Sequence, residues 1–319
     1  MKTILYSASV LALTSTIATA EGSFVGDLTF GYSFGEFGVG GLSQDADTMS
    51  LRMHSTVTLA DNLEFDLNLG TRSTDISGTP LEFDSTYIAV IPRYTFDNGL
   101  IFGAYFETVD NGLNLLPIDL GGSSYGLSLG KNFGNWEIEG FIGASENDLL
   151  DALPVNVDLM DFGLRGGWNV NEKFHLGGHF IYSEIDAPNP VGSLGIYSLG
   201  VGGQYIFNDQ WAAYGGLSRQ WLDETVGGVL PIDVAGTRYS IGVSYTYAGA
   251  GLPIVASLEL ARTDLDLDQP VNGSGDFNEV RLGLTIPLGH KGRSTPLNSS
   301  YREITGGGHS ALSHLLGLY

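Results

Sequence analysis

Arginine residues stand at the polar positions of several segments in which apolar and polar side chains alternate. Arg52, Arg72, Arg165, Arg238 and Arg281 all share this phase with small polar or charged neighbours. Successive side chains of an extended strand point to opposite faces, so each arginine lies on the polar face of its segment. Because a guanidinium binds carboxylates and other oxyanions, such a face is suited to guiding ions and hydrophilic solutes.

The segment TMSLRMHSTVTL, residues 48–59, indicates the environment that these arginines require. Met49, Leu51 and Met53 form one apolar face, whereas Arg52 and His54 lie on the opposite face. A buried core strand excludes an arginine at its centre, and a solvated strand has no use for so much apolar surface. A strand with lipid on one side and water on the other satisfies both faces.

Charged side chains at polar-phase positions are therefore the candidates for lining a water-filled lumen. A charge facing lipid near the bilayer midplane costs about 2–4 kcal/mol, which favours the inward side. The predicted lumen-facing residues are Arg52, His54, Glu64, Asp66, Arg72, Asp161, Arg165, Arg238 and Arg281. For any one of them the alternative is structural, because opposite charges paired across neighbouring strands also stabilise a sheet.

Other residue patterns with catalytic or metal-binding potential do not complete a site. His175 and His179 lie on one face of a strand but about 13 Å apart, too far to share a metal ion. Asp264, Asp266 and Asp268 resemble the start of a calcium loop that lacks its glycine and its final glutamate. No Ser and His pair up in the sequence as nucleophile and base, so we predict no enzyme, no metal and no cofactor.

Composition and the first residues indicate an exported chain. Lys2, the apolar run from Ile4 to Leu13 and the small residues before position 21 match a secretory signal, predicted as residues 1–20. The 319-residue chain has no cysteine, which excludes disulfides and thiolate metal sites. Its net charge of −22 argues against a nucleic-acid partner, because phosphate contacts need clustered Lys and Arg.

Alternation with a period of two recurs through fourteen segments between residues 21 and 288, each long enough to cross a bilayer as a tilted strand. One segment, FDSTYIAVIPRYTF, fits either phase and leaves Arg93 ambiguous. The predicted short connections are residues 60–62, 97–99, 132–135, 169–173, 208–210 and 248–253. The predicted long connections are residues 35–47, 73–82, 109–122, 146–156, 184–193, 221–236 and 263–276.

Short and long connections alternate, and the aromatic residues cluster beside the short ones. Trp136, Trp168 and Trp211 each adjoin a short turn rich in Asn, Asp or Gly. Aromatic rings favour the interface between membrane and water, and this asymmetry is typical of outer-membrane barrels with periplasmic turns. A soluble all-β fold alternates similarly but does not gather its Trp residues at one end.

Together, the signal, the acidic charge, the alternating strands and the aromatic-flanked turns resemble the porins and related channels of Gram-negative outer membranes. The resemblance implies an all-β, antiparallel, up-and-down transmembrane barrel of about fourteen strands over residues 21–288, with sixteen strands as the alternative. Residues 289–319 are then a C-terminal tail, expected to be either a periplasmic extension or an extra terminal strand. The stretch GHKGRSTPLNSSYREITGGG has the composition of a loose linker, and the terminal HLLGLY has the aromatic end that an extra strand needs, so both readings remain open.

The third long connection, residues 109–122, has the position of the loop that narrows the channel in the porins that this chain resembles. Its Leu and Ile residues are too apolar for a loop in water, which favours packing inside the barrel. Asp110 and Asp119 are then expected to oppose Arg52 and Arg72 across a constriction.

The sequence thus predicts an outer-membrane channel for passive diffusion of ions and small hydrophilic solutes, with mild cation preference from its acidic loops. Its expected partners are outer-membrane lipid, lipopolysaccharide, the barrel-assembly machinery and the solutes, with a homo-oligomer left open. Three alternatives remain open: an outer-membrane hydrolase or acyltransferase, a non-conducting structural or adhesive barrel, and a transporter of hydrophobic substrates, which the apolar third loop would suit.

Overall fold

A closed antiparallel barrel accounts for most of the chain in the computed structural model. The structure describes residues 23–39, 42–113, 121–148, 158–187, 192–225, 233–249, 253–269, 273–289 and 294–315. The predicted signal segment, residues 1–20, lies outside them. Consecutive strands pair as neighbours, and β1 closes the ring by pairing with β14 from Gly26 opposite Leu288 to Val39 opposite Gly275.

The strands are β1 (Ser23–Val39), β2 (Leu42–Ala60), β3 (Leu63–Ile76), β4 (Glu82–Thr95), β5 (Leu100–Leu113), β6 (Gly122–Asn132), β7 (Trp136–Asn147), β8 (Asp158–Asn171), β9 (Phe174–Ala187), β10 (Gly192–Ile206), β11 (Trp211–Thr225), β12 (Asp233–Tyr247), β13 (Ile254–Gln269) and β14 (Gly273–Leu288). The prediction of an up-and-down barrel of fourteen strands is confirmed, and the alternative of sixteen is wrong, since these fourteen close the ring.

The outer surface of the barrel is an apolar belt. Met49 on β2 is 68% exposed and Ile241 on β12 is 67% exposed, although both are large and apolar. The same belt includes Phe30, Phe102, Phe106, Leu127, Leu129, Ile142, Leu164, Leu199, Val201, Leu260 and Leu284. A surface of this size and character is unfavourable in water and matches the hydrocarbon region of a bilayer.

Exposed aromatic residues mark the end of the barrel that carries the short turns. Phe133 stacks on Trp136 with ring centroids 3.9 Å apart, and Trp211 lies 4.8 Å from Tyr245. Phe96, Trp168, Tyr205 and Phe207 are exposed at the same end. The predicted aromatic girdle at the short turns is therefore present, and it places this end at a membrane interface.

At the opposite end the strands continue further than expected. Residues 35–47 were predicted as a long loop, but β1 and β2 remain paired out to Val39 and Leu42. The expectation of a loop is wrong because the strands continue beyond the lipid. There the outer face is in water and need not be apolar, so the sequence no longer alternates although the backbones stay paired. Apart from β6 with 11 residues, the strands have 12–19 residues, more than the ~9–11 that cross a bilayer, so they extend beyond it on the loop side.

The tail enters the barrel lumen. After β14, Gly289 adopts a φ of +73°, and a Cβ there would lie 2.1 Å from the carbonyl oxygen of Phe24. Residues 294–315, here called the plug, then form α1 (Ser300–Gly306) and α2 (Ala311–Leu315). Neither helix is long and apolar enough to cross a membrane.

The position of the plug differs from both expectations for the tail, since residues 294–315 are neither a periplasmic extension nor an extra strand. Leu297, Ile304 and Ala311 are buried, as are the polar Asn298 and His309. The physical reason is that polar wall residues supply hydrogen bonds to a segment whose own composition resembles a linker. A barrel of this width is not filled by its wall side chains, so it has room for such a segment.

Candidate functional site: the plugged lumen

Glycines in the barrel wall form a groove that receives α1. Gly177 on β9, Gly202 on β10 and Gly216 on β11 face the lumen, where a Cβ would meet plug atoms at 2.5, 3.0 and 2.4 Å respectively. The nearest plug side chains are Thr305, Tyr301 and Ile304 in the same order. Only glycine permits this approach, so the wall is shaped for the helix.

Basic wall side chains bind carbonyl groups of the plug backbone. Arg52 Nη1 donates to Leu297 O over 3.1 Å, and Arg281 Nη1 donates to Asn298 O over 3.1 Å. His179 Nδ1 lies 2.8 Å from Ile304 O, and Arg165 Nη2 donates to Gly308 O. These contacts satisfy backbone acceptors that burial would otherwise leave without partners.

Wall oxygen atoms bind backbone N–H groups of the plug in the same manner. Thr29 Oγ1 accepts from Leu297 N at 3.1 Å and Glu259 Oε2 accepts from Ser300 N at 3.0 Å. Further along, Glu107 Oε2 accepts from His309 N at 2.9 Å and Ser183 Oγ from Ala311 N at 2.8 Å. The wall thus contacts both donors and acceptors of the plug backbone, which fixes one conformation inside the lumen.

An ion-pair cluster joins the plug to three strands. Glu303 Oε1 of α1 lies 3.0 Å from Arg281 Nη1 and 3.3 Å from Arg52 Nη2. Arg281 also contacts Glu279 at 2.9 Å and Glu259 at 3.6 Å. Burial raises the pKa of Glu303, but Arg281 and Arg52 outweigh this and hold its pKa below the usual range. Glu303 is therefore ionised in the docked plug.

A second anchor holds the plug on the opposite side of the lumen. The His309 ring stacks on Tyr105 with centroids 3.8 Å apart and meets Phe141 edge-on at 4.6 Å. Its Nδ1 lies 2.6 Å from Glu107 Oε1. Both His309 and Glu107 are almost completely buried, so the ring fills a pocket and the carboxylate orients it.

Plug docking is expected to weaken as the pH falls. Burial lowers the pKa of His309 below its ordinary 6.5, Arg165 adds to this, and attraction from Glu107 and Glu139 does not compensate. Burial also lowers the pKa of His314. A histidine with a depressed pKa stabilises the docked state fully above 6.5, and this contribution is lost as the pH falls below that value.

Hydrogen exchange of plug amides, normalised to the intrinsic rate at each pH, measures this effect. Protection of residues 300–315 should be lower at about pH 5 than at about pH 7.5, because the undocked plug binds more protons in that window. Amides of β10 at its outward positions serve as the internal control. Equal plug protection at both pH values would contradict the expectation.

Two cavities remain between the plug and the wall. The larger, of about 620 Å³, opens among the short turns and is here called the turn-side cavity. Arg93, Glu137 and Glu139 line it from the wall, and Tyr301 and Arg302 line it from the plug. Arg93 pairs with Glu139 at 3.2 Å. This cavity is polar and charged, as a path for hydrophilic solutes must be.

The smaller cavity, of about 70 Å³, lies deeper and is here called the arginine cavity. Arg52 and Arg72 of the wall face Arg302 and Glu303 of the plug across it. It shares His54, Asn68, Arg302 and Gly306 with the turn-side cavity. The plug, therefore, forms the narrow part of the lumen.

All nine wall residues proposed from the sequence lie in the inward phase of their strands: Arg52, His54, Glu64, Asp66, Arg72, Asp161, Arg165, Arg238 and Arg281. The structure brings Arg52, His54 and Arg72 together at the arginine cavity. Arg238 shares Glu279 with Arg281, at 2.7 and 2.9 Å.

The remaining members of that set are separate from the arginine cavity. Asp66 and Arg165 line the turn-side cavity, and Asp66 lies 3.7 Å from Arg93. Glu64 stands opposite Arg93 in the β3–β4 register. Asp161 accepts hydrogen bonds from Ser145 and Ser183 near the second anchor. Most of these charges therefore also serve the structural role that cross-strand pairing implies.

Asp110, one of the two proposed constriction residues, is not placed as expected. Asp110 lies on β5 in the exposed phase of Phe102 and Phe106, so it is on the outer side of the wall. That expectation is wrong because β5 continues to Leu113, and the alternation carries Asp110 outward. Asp119 lies outside the described residues. The carboxylate that opposes Arg52 is instead Glu303.

One serine and one histidine do form a pair in the lumen wall. His179 Nε2 lies 2.9 Å from Ser198 Oγ, while Nδ1 contacts Ile304 O. Ser198 is fully buried and lines neither of the two cavities. A nucleophile needs access to substrate, so this pair is better explained as support for the plug.

Sequence reasoning missed the plug residues Arg302, Glu303 and His309, and also the wall residue Glu107. The sequence signal that could have indicated the plug is the set of glycines at inward positions. Each of the pairs Gly202-Gly203 and Gly215-Gly216 contains one such glycine. Among the described residues, no group of three or more His, Cys, Asp or Glu side chains is placed to hold a metal ion.

Comparison with known proteins shows similarity in fold but none in sequence family. Neither a protein-family profile nor a curated protein sequence matches the chain. Among solved structures, the chain is similar to the TodX monoaromatic hydrocarbon channel (a deltaS2 mutant), with a TM-score of 0.54 and 11% identity over 88% of this chain and 92% of that one.

Two further solved barrels show weaker similarity. An anion-selective porin from Comamonas acidovorans has a TM-score of 0.49 and 11% identity, covering 84% of this chain and all (100%) of that one. A FadL homologue from Pseudomonas aeruginosa has a TM-score of 0.48 and 11% identity, covering 85% and 91%. At such identities, similarity establishes the fold alone. The closed barrel, its apolar belt and its aromatic end are those of an outer-membrane β-barrel protein.

Proposed function

We propose that this protein is an outer-membrane channel for passive diffusion of ions and small hydrophilic solutes, with a conductance that its own plug limits. The observation that carries the proposal is the charged turn-side cavity of about 620 Å³ beside the plug. A purely structural barrel has no need of a charged space that continues to the arginine cavity. Water and solutes can occupy such a space without desolvation.

The plug determines the expected size of the conductance. It crosses the lumen from β14 to the wall of β9–β11, and α1 faces the arginine cavity. The native channel should therefore conduct less than an open barrel of fourteen strands. Movement of the plug is the step that would admit larger solutes.

Selectivity at the mouths follows from overall charge. The net charge of −22 and the acidic loops raise the local concentration of cations there, which favours mild cation preference. At the arginine cavity the sign is reversed, because three guanidiniums face one carboxylate. The measured preference would report which of these regions dominates.

We further propose that the protein is not an enzyme. The His179 and Ser198 pair is the feature that a hydrolase or acyltransferase would use, and the burial of Ser198 opposes that role. Activity on phospholipid that disappears in Ser198→Ala would favour the enzyme instead. A non-conducting structural or adhesive barrel and a transporter of hydrophobic substrates are the remaining alternatives.

Single-channel recording of the refolded full chain in a planar bilayer tests the channel. We expect small, reproducible current steps in KCl. Under a KCl gradient, the reversal potential should be displaced towards the equilibrium potential of K⁺, because acidic mouths concentrate K⁺. Membranes without steps, given protein shown to be inserted and folded, would overturn the channel and favour the non-conducting barrel. Current steps whose reversal potential is displaced towards the equilibrium potential of Cl⁻ would overturn only the cation preference.

A further inference from the structure

The arginine cavity has an excess of positive charge. Arg52 and Arg72 project from β2 and β3, and Arg302 projects from α1. Glu303 is the only carboxylate among the described residues that line this cavity. Three cations thus share about 70 Å³ with one anion.

Glu303 does not neutralise all three. Its Oε1 contacts Arg52 at 3.3 Å and Arg281, outside the cavity lining, at 3.0 Å. Two guanidiniums already share this carboxylate, and Arg52 also binds a plug carbonyl. The described lining of the cavity has no second carboxylate for Arg72 and Arg302.

The side chains of Arg72 and Arg302 differ from the other lumen arginines. Arg52, Arg93, Arg165, Arg238 and Arg281 each contact a carboxylate or a backbone carbonyl. Within the described part of the chain, neither the Arg72 nor the Arg302 guanidinium makes an ion pair or hydrogen bond.

Holding two such cations in a confined space is unfavourable without an anion. Burial lowers the pKa of Arg302, and attraction from Asp27 and Asp66 offsets only part of this. An anion placed beside these guanidiniums would compensate for their desolvation. Guanidinium N–H groups match the oxygen atoms of carboxylate and phosphate in paired hydrogen bonds.

We propose that the arginine cavity is a binding site for a small oxyanion, a phosphate or a short carboxylate, held by Arg72 and Arg302. The lining adds neutral donors at Asn68 and Ser85. The site has room for only a small anion. This inference rests on the proposed function in one respect: the site lies on the path that solutes are proposed to take.

The anion can reach the site from the turn side. The arginine cavity shares Arg302 and Gly306 with the turn-side cavity, so the two spaces adjoin. Arg93, Arg165 and Arg302 line the larger space together with Asp66, Glu137 and Glu139, so this lining has no excess of negative charge that would exclude an anion. Because Arg302 belongs to the plug and Arg72 to the wall, the bound anion would also hold the plug in place.

Isothermal titration of the full chain in detergent with inorganic phosphate, and separately with acetate, tests the site. We expect saturable binding of one anion per chain for at least one of the two, and the preferred anion distinguishes the tetrahedral from the planar class. Arg72→Gln and Arg302→Gln should each weaken binding about tenfold or more, as loss of one charge-assisted contact implies. Arg72→Lys keeps the charge and should retain part of the affinity.

Arg262→Gln is the matched control, because Arg262 is 54% exposed and paired with Asp264 at 2.7 Å away from both cavities. It should bind as the native chain does. The site would be overturned if neither anion bound saturably to the native chain. It would also be overturned if Arg72→Gln and Arg302→Gln bound the anion with the affinity of the native chain. Binding in detergent does not depend on conduction, so a silent bilayer with intact binding would reject the channel alone.

Discussion

Deleting residues 289–319 is expected to raise the single-channel conductance several-fold. The deletion removes both helices and every plug residue that faces the two cavities. A barrel of fourteen strands is wider than the eight-stranded kind that side chains fill, so the lumen should become an open aqueous path. The measurement is the step size in KCl, compared with the native chain under the same conditions.

A point substitution provides a second measurement that keeps the full chain. Gly216→Val places a side chain where a Cβ would already lie 2.4 Å from Ile304 Cδ1, so α1 must move away from the wall. Gly167→Val is the matched control, because Gly167 lines the turn-side cavity and a Cβ there meets nothing within 4 Å. We expect larger or more frequent steps for Gly216→Val and slightly smaller steps for Gly167→Val.

Unchanged conductance in both the deletion and Gly216→Val would contradict a plug that limits the channel. The deletion must be shown to fold, and resistance of the barrel to protease provides that check. Since the fourteen strands close the ring without the plug, folding of the barrel is expected to survive its removal.

Substituting Arg281 is expected to produce the largest loss of stability of any single change in the wall. Its side chain is 12% exposed and contacts Glu259, Glu279 and Glu303. Arg281→Gln leaves these carboxylates close together with less compensation, since Arg52 and Arg238 are the ion-pair partners that remain to them among the described residues. Removing one partner from a buried charge cluster costs about 3–5 kcal/mol in the free energy of unfolding.

Urea unfolding in lipid vesicles measures this cost. Arg262→Gln removes an arginine from an exposed pair and should change the free energy of unfolding by about 0–1 kcal/mol. The double variant Arg281→Gln with Glu303→Gln should lose less than the sum of the single variants, because the two residues interact directly. A cost for Arg281→Gln no larger than that of Arg262→Gln would show that the cluster does not stabilise the protein.

The barrel wall followed closely from the sequence. Met49, Leu51 and Met53 alternate with Arg52 and His54, and neighbouring side chains on a strand must point to opposite faces. The phase of β4 did not follow, because Ile88, Val90 and Ile91 put apolar residues in both phases. Pairing with β3 and β5 decided it and placed Arg93 inside, beside Asp66 and Glu139.

The constriction could not be found in the same way. The sequence directed attention to residues 109–122 because that stretch is apolar and third among the long connections. The carboxylate that meets Arg52 comes instead from Glu303, in a segment whose composition resembles a linker. A helix of seven residues has too little periodicity to reveal which neighbours it will contact.

The sequence by itself determined the membrane barrel: strand phase and turn position depend on residues that are adjacent in the chain. Only the tertiary structure decided what fills the lumen. The bond from Leu297 to Thr29 spans 268 positions and that from His309 to Glu107 spans 202. Such contacts leave no local pattern, because one inward-facing polar residue on a strand suits either water or a plug. Arg52 and Arg72, which the alternation placed on the inner face of the wall, therefore line a cavity that the plug completes.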